Sequence, residues 1–149
     1  ARDPPGGGSA LSPGKPHLRR QIARRYRGGG VMLPMEELLT TNGALEALNL
    51  GLQAVTEPGD LVAIEAPAFY VCLQVLERLK LKAVEIPVHP RAGMDLEVLA
   101  QTLQKHPVKA VWSMTTLQNP VGASMPEANK PALVGLLHAH QVPLLDVDA

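Results

Sequence analysis

Cysteine is nearly absent from this chain: Cys72 stands alone, so no internal disulfide can form and a reducing compartment is the expected setting. Aromatic residues are scarce at 3%, which leaves Leu, Val, Ala and Ile to build any core. No apolar run approaches the roughly 18 residues that a membrane-spanning helix needs. The opening residues are rich in Pro and Gly and carry no apolar leader, so a soluble cytoplasmic protein without membrane contacts is expected. Excess charge is missing too. Fourteen basic and 14 acidic residues cancel, removing any whole-chain reason to expect nucleic-acid or membrane binding.

What is present suits one globular domain. At 149 residues with 46% apolar content, the chain can bury a real core. Residues 1–15 have loop or linker composition, with Pro4, Pro5, Gly6, Gly7, Gly8, Pro13 and Gly14. Leu18, Ile22, Ala23 and Tyr26 then recur at helical spacing after Pro16, with Arg19, Arg20, Arg24, Arg25 and Arg27 elsewhere on the helix. That arginine cluster could touch phosphate or DNA, and a solvated helix face is the simpler expectation. Gly28-Gly29-Gly30 ends the helix. A short turn is expected at Met35-Glu36-Glu37, and a second helix from Ala44 to Val55.

From there strands and helices alternate. Strands are expected at Leu61–Ile64, Ala83–Pro87, Val108–Met114 and Val142–Val147. Helices are expected up to about Leu79, from near Asp95 to Gln104, and from Lys130-Pro131 to His140. The fold class this implies is α/β: a mostly parallel sheet in a three-layer α/β/α arrangement, with helices on both faces. Residues 16–149 then form one domain.

Four places have the chemistry of a site. Gly43, with Ala44 and Leu45, opens a helix whose free N–H groups and positive dipole end could hold a phosphate; plain capping by Thr41 or Asn42 explains the same residues. Phe69 and Tyr70 follow Pro67 in a strand-to-helix turn, and an aromatic there could stack on a planar ring or pack over the sheet end. Asn119, in Gln118-Asn119-Pro120-Val121-Gly122, could donate its amide to a ligand oxygen or simply make a turn. Asp146 and Asp148 share a face by the two-residue period of a strand. The histidines at 17, 89, 106, 138 and 140 show no metal-ligand spacing, and Cys72 is expected to be buried packing.

In order, Pro16 to Tyr26, Thr41-Asn42-Gly43-Ala44-Leu45-Glu46-Ala47-Leu48, Pro58 to Tyr70, and Lys109-Ala110-Val111-Trp112 through Gly122 resemble the pyridoxal-phosphate-dependent aminotransferases of fold type I. Within that fold they look most like the aminotransferase-like domain of MocR-type regulators of the GntR family, over about residues 12–148. The resemblance implies that Gly43, Ala44 and Leu45 hold the phosphate of pyridoxal 5'-phosphate. It implies further that Phe69 stacks on its ring and that Asn119 bonds its phenolic oxygen.

Two departures accompany it. Val147 stands where the family has the aspartate that protonates the pyridine nitrogen, so either a neighbour such as Asp148 substitutes or the electronics are impaired. The Schiff-base lysine is expected beyond Ala149, and Lys130 opens a helix outside that lysine's context. The chain thus resembles the front half of a large cofactor-binding domain, without catalytic residues of its own. The implied partners are the cofactor, an amino-acid-like effector, DNA through a domain outside this chain, and a second copy in a homodimer. A fragment of a class I/II aminotransferase is the alternative.

Overall fold

The computed structural model describes residues 13–147. The chain divides into two compact units between Ala47 and Leu48.

In the first unit, helix α1 spans Pro16–Gly28, with Pro16 in its first turn and Arg25 and Arg27 at the end where the helix dipole favours cations. A short 3-10 turn follows at Met35–Glu37, as its sequence suggests. The arginine face is not uniformly solvated. Arg19 is buried, and its guanidinium donates to the Met35 carbonyl, because the segment after Gly30 folds back along the helix. Arg20, Ala23, Arg24 and Arg27 line a groove against Met32–Met35, while Leu18 and Tyr26 of the expected apolar stripe are half exposed.

Helix α2, Ala44–Val55, leads into the second unit. There the elements are strand β1 (Leu61–Ala66), helix α3 (Tyr70–Arg78), strand β2 (Lys82–His89), strand β3 (Gly93–Met94), helix α4 (Leu96–Lys105), strand β4 (Val108–Ser113), helix α5 (Lys130–His140) and strand β5 (Leu144–Asp146). Asp95 caps α4, its carboxylate accepting from the Glu97 and Val98 N–H groups at 3.0 Å. The two-residue β3 has no counterpart among the expected strands.

The sheet order is β3-β2-β1-β4-β5, with β2, β1, β4 and β5 parallel and β3 antiparallel at the edge. Strand alternation divides the core. Val62, Ile64, Ala110 and Trp112 pack with Leu48 and Leu52 of α2 and with Cys72, Val75 and Leu76 of α3. Ala63, Ile86 and Val111 pack with Leu99 and Leu103 of α4 and Leu133 and Leu137 of α5. Helices on both faces of apolar strands make the three α/β/α layers. Each fully buried aliphatic side chain contributes roughly 1.5–3 kcal/mol.

This order matters for function. The chain steps from β1 to β2 on one side, then returns to place β4 on the other side of β1. Connections leaving β1 and β4 diverge there, and in open α/β sheets ligands bind in the crevice at such a switch point.

Candidate ligand site at the exits of strands β1 and β4

The exit of β1 is Glu65-Ala66-Pro67-Ala68-Phe69, and that of β4 is Ser113-Met114-Thr115, leading into the Asn119 loop. Glu65, Ala68 and Phe69 from the first and Met114 and Asn119 from the second line one small cleft, closed by Ile64, Cys72 and Trp112. Phe69 and Asn119, singled out separately in the sequence, therefore meet. The Phe69 ring also makes an edge contact with Tyr70, centroids 5.1 Å apart.

The Asn119 loop is tied at its root and across its own span. Glu65 accepts from the Ser113 hydroxyl at 2.7 Å and from the Met114 N–H at 3.1 Å. Asp146 accepts from the Thr115 N–H at 3.0 Å and its hydroxyl at 2.6 Å. Gln118, buried, donates its amide to the Pro67 carbonyl at 2.8 Å and accepts from the Val121 N–H at 3.0 Å. Within the loop, the Gln118 N–H donates to the Ala123 carbonyl and the Met125 N–H to that of Thr115. Of these partners, only Asp146 was a site candidate in the sequence; Glu65 was not. A carboxylate at the end of an otherwise apolar strand, as in Val62-Ala63-Ile64-Glu65, was the available signal.

Burial pushes the Glu65 carboxyl above its ordinary range; the donors Ser113, Met114 and Gln118 pull the other way, and the charge of Asp146 adds to the rise. A raised carboxyl favours the protonated folded state, so its stabilising contribution is complete below the unfolded value and is lost as pH climbs through the folded one. Stability should accordingly fall across the window above Glu65's ordinary value. Urea midpoints measured against pH will show that slope, and Glu65→Gln should remove it. An identical slope in the variant would assign it to another group. Burial, then the Glu65 charge, also pushes the Cys72 thiol far up, so it is inert packing and no thiolate nucleophile.

Alternation along β5 turns Asp146 towards Thr115, while Leu145 and Val147 pack against the core cluster that holds Trp112. The Val147 N–H donates to the Ser113 carbonyl at 3.0 Å, continuing the strand pairing. Asp146 is thus already engaged by Thr115. Asp148 lies outside the described residues.

In the first unit, Gly43 has φ +99°, in the left-handed region, with open space where a Cβ would stand. The Thr41 hydroxyl donates to the Gly43 carbonyl at 3.0 Å, and the Asn42 N–H donates to the Glu46 carboxylate at 2.5 Å. Ala44 and Leu45 form the first turn of α2. Glu46 thereby brings a negative charge to the helix end that an anion would use. Among the described residues, no lysine lines the cleft between β1 and β4, and Lys130 pairs with Glu127 at 2.6 Å. Among the described residues, no helix is long and apolar enough to cross a membrane.

Residues 9–147 match the family described as aminotransferase class I and II. The chain belongs to that family. It is 50% identical over 138 residues to the HTH-type transcriptional regulator YdcR of Escherichia coli, covering 93% of this chain and 30% of that protein. It is 34% identical over 141 residues to the regulator YjiR of the same organism, covering 95% of this chain and 30% of that one. Among solved structures it resembles Pyrococcus horikoshii kynurenine aminotransferase, crystallised with PMP. The TM-score is 0.83 at 27% identity, over 93% of this chain and 35% of the enzyme. The chain spans about 30% of the length of these curated relatives. The sheet described above is therefore that of fold type I, as the ordered motifs imply.

Proposed function

We propose that this chain is the cofactor- and effector-binding part of a MocR-type regulator of the GntR family. In the whole protein, cytoplasmic and homodimeric, DNA would be contacted by a domain outside this chain. The observation that carries the reading is the 50% identity to an HTH-type regulator over 138 residues, against 27% to the Pyrococcus enzyme structure.

The residues fit pyridoxal 5'-phosphate at its ring. Phe69 offers an aromatic surface and Asn119 an amide donor in one cleft, at the sheet end where ligands gather. The resemblance assigns the phosphate to the turn at Gly43, Ala44 and Leu45, and adds Asp148. When bound, the cofactor supplies an aldehyde that captures primary amines, which suits an amino-acid-like effector. This chain's residues bind and orient.

The cofactor half of the proposal is tested by titrating the chain with pyridoxal 5'-phosphate and following fluorescence of Trp112, the only tryptophan, which lines the cleft. Saturable quenching is expected. Asn119→Ala should weaken it about tenfold, the equivalent of roughly 1.4 kcal/mol for one lost hydrogen bond. Equal affinity in the variant would remove Asn119 from the site. For the regulator half, the full-length protein should shift DNA from its own upstream region without transaminating. Turnover without DNA binding would instead establish the aminotransferase alternative.

A further inference from the structure

The Asn119 loop leaves a strand flanked on both sides, and each flanking strand carries, at or next to its end, a carboxylate turned towards it. Glu65 is the penultimate residue of β1 on one side of β4, and Asp146 is the last residue of β5 on the other. Their partners are consecutive: Ser113 and Met114 for Glu65, then Thr115 for Asp146. We propose that Glu65 and Asp146 are positioning residues for Asn119, two carboxylates that clamp the exit of β4 between them and so set where the Asn119 amide stands against Phe69.

Three features support this. Glu65 is only 5% exposed, where an apolar residue of similar volume would avoid the desolvation that a carboxylate incurs. Its carboxylate accepts from Ser113 and Met114 at the loop root and is also engaged by Gln118 beside Asn119, so what it stabilises locally is that loop. The third tie runs through Gln118, itself one of the donors to the Glu65 carboxyl. Gln118, adjacent to Asn119, donates to Pro67, two residues before Phe69, and so links the two ligand-facing residues across the cleft. The loop is thus anchored at both strand ends and at the partner turn. A contact meant to hold a ligand amide needs such rigidity, since small displacements lengthen its hydrogen bond.

The ligand part rests on the cofactor reading above; the clamp does not, and the test separates them. Glu65→Met removes both acceptors at similar volume; loss of the buried carboxylate offsets part of the cost of leaving the Ser113 hydroxyl and Met114 N–H unpaired, and a urea unfolding curve checks that the variant is folded. Amide hydrogen exchange at Met114, Gln118, Asn119, Val121 and Gly122 should accelerate at least tenfold, while Leu99, Leu103, Leu133 and Leu137 exchange as before. Quenching of Trp112 by pyridoxal 5'-phosphate should require at least tenfold more ligand. Glu65→Gln can accept from the Met114 N–H and donate to the Ser113 hydroxyl, and should restore both readouts to within threefold. Asp146→Ala should act as Glu65→Met does, and Asp146→Asn as Glu65→Gln.

Wild-type exchange rates in Glu65→Met, or a Gln variant as loose as Met, would overturn the clamp. If pyridoxal 5'-phosphate fails to quench even the unmodified chain, the cofactor reading falls, and loop exchange alone decides the positioning role.

Discussion

Trp112→Ala should lower the stability of the sheet unit by about 3–5 kcal/mol, the range for deleting a buried aromatic side chain. Trp112 is 4% exposed on β4, a central strand, and belongs to the cluster formed with Leu48, Leu52, Val62, Ile64, Cys72, Val75 and Leu76. With aromatics at 3% of the sequence, no second large ring is present in that cluster to close over the gap. A small domain has about 5–15 kcal/mol in total, so the variant should be partly unfolded under mild conditions. Urea unfolding followed by circular dichroism measures the difference, since the substitution removes the fluorophore. Trp112→Phe, which keeps an aromatic surface in the cluster, should retain most of the stability. A loss below about 1 kcal/mol in the alanine variant would mean that the indole is not a packed part of the core.

The elements readable in the sequence were those whose signal is local. Val62-Ala63-Ile64 and Val108 to Trp112 are apolar runs of strand length, and Asp95 before Leu96 carries its own capping chemistry. Gly43, Phe69 and Asn119 could be named because ordered motifs mark them. That Phe69 and Asn119 share one cleft depends on β4 pairing with β1, a relation between residues some fifty positions apart. The ties that hold the loop are of the same kind: Gln118 to Pro67 spans 51 positions, and Ser113 to Glu65 spans 48. No window of sequence contains both partners. Arg19 was equally opaque, since nothing distinguishes it from Arg20 until the Met35 segment folds back over it. Strand β3 is too short for any periodicity, and its pairing with Val88 and His89 exists only in the folded sheet.

Gly93, the residue that opens β3, should tolerate substitution poorly. Its φ is +77°, and a Cβ built there would stand 3.1 Å from the Met125 Cβ and 3.3 Å from the Met125 Cα. Two costs therefore combine in Gly93→Ala. The left-handed backbone disfavours a side chain by about 1–2 kcal/mol, and crowding against Met125 adds about 1–3 kcal/mol. Met125 Cα is backbone at the foot of the Asn119 loop, tied through its N–H to the Thr115 carbonyl at 2.8 Å, so it cannot simply rotate aside. A loss of about 2–5 kcal/mol is expected by chemical denaturation. Gly93→Asn separates the two contributions, because asparagine accepts the left-handed conformation more readily but brings the same Cβ. If Asn is milder than Ala, the backbone dominates. If the two are equal, contact with Met125 dominates, and the strain should pass into the Asn119 loop as faster exchange at Met125. A harmless Gly93→Ala would contradict both contributions and with them the close approach of β3 to that loop.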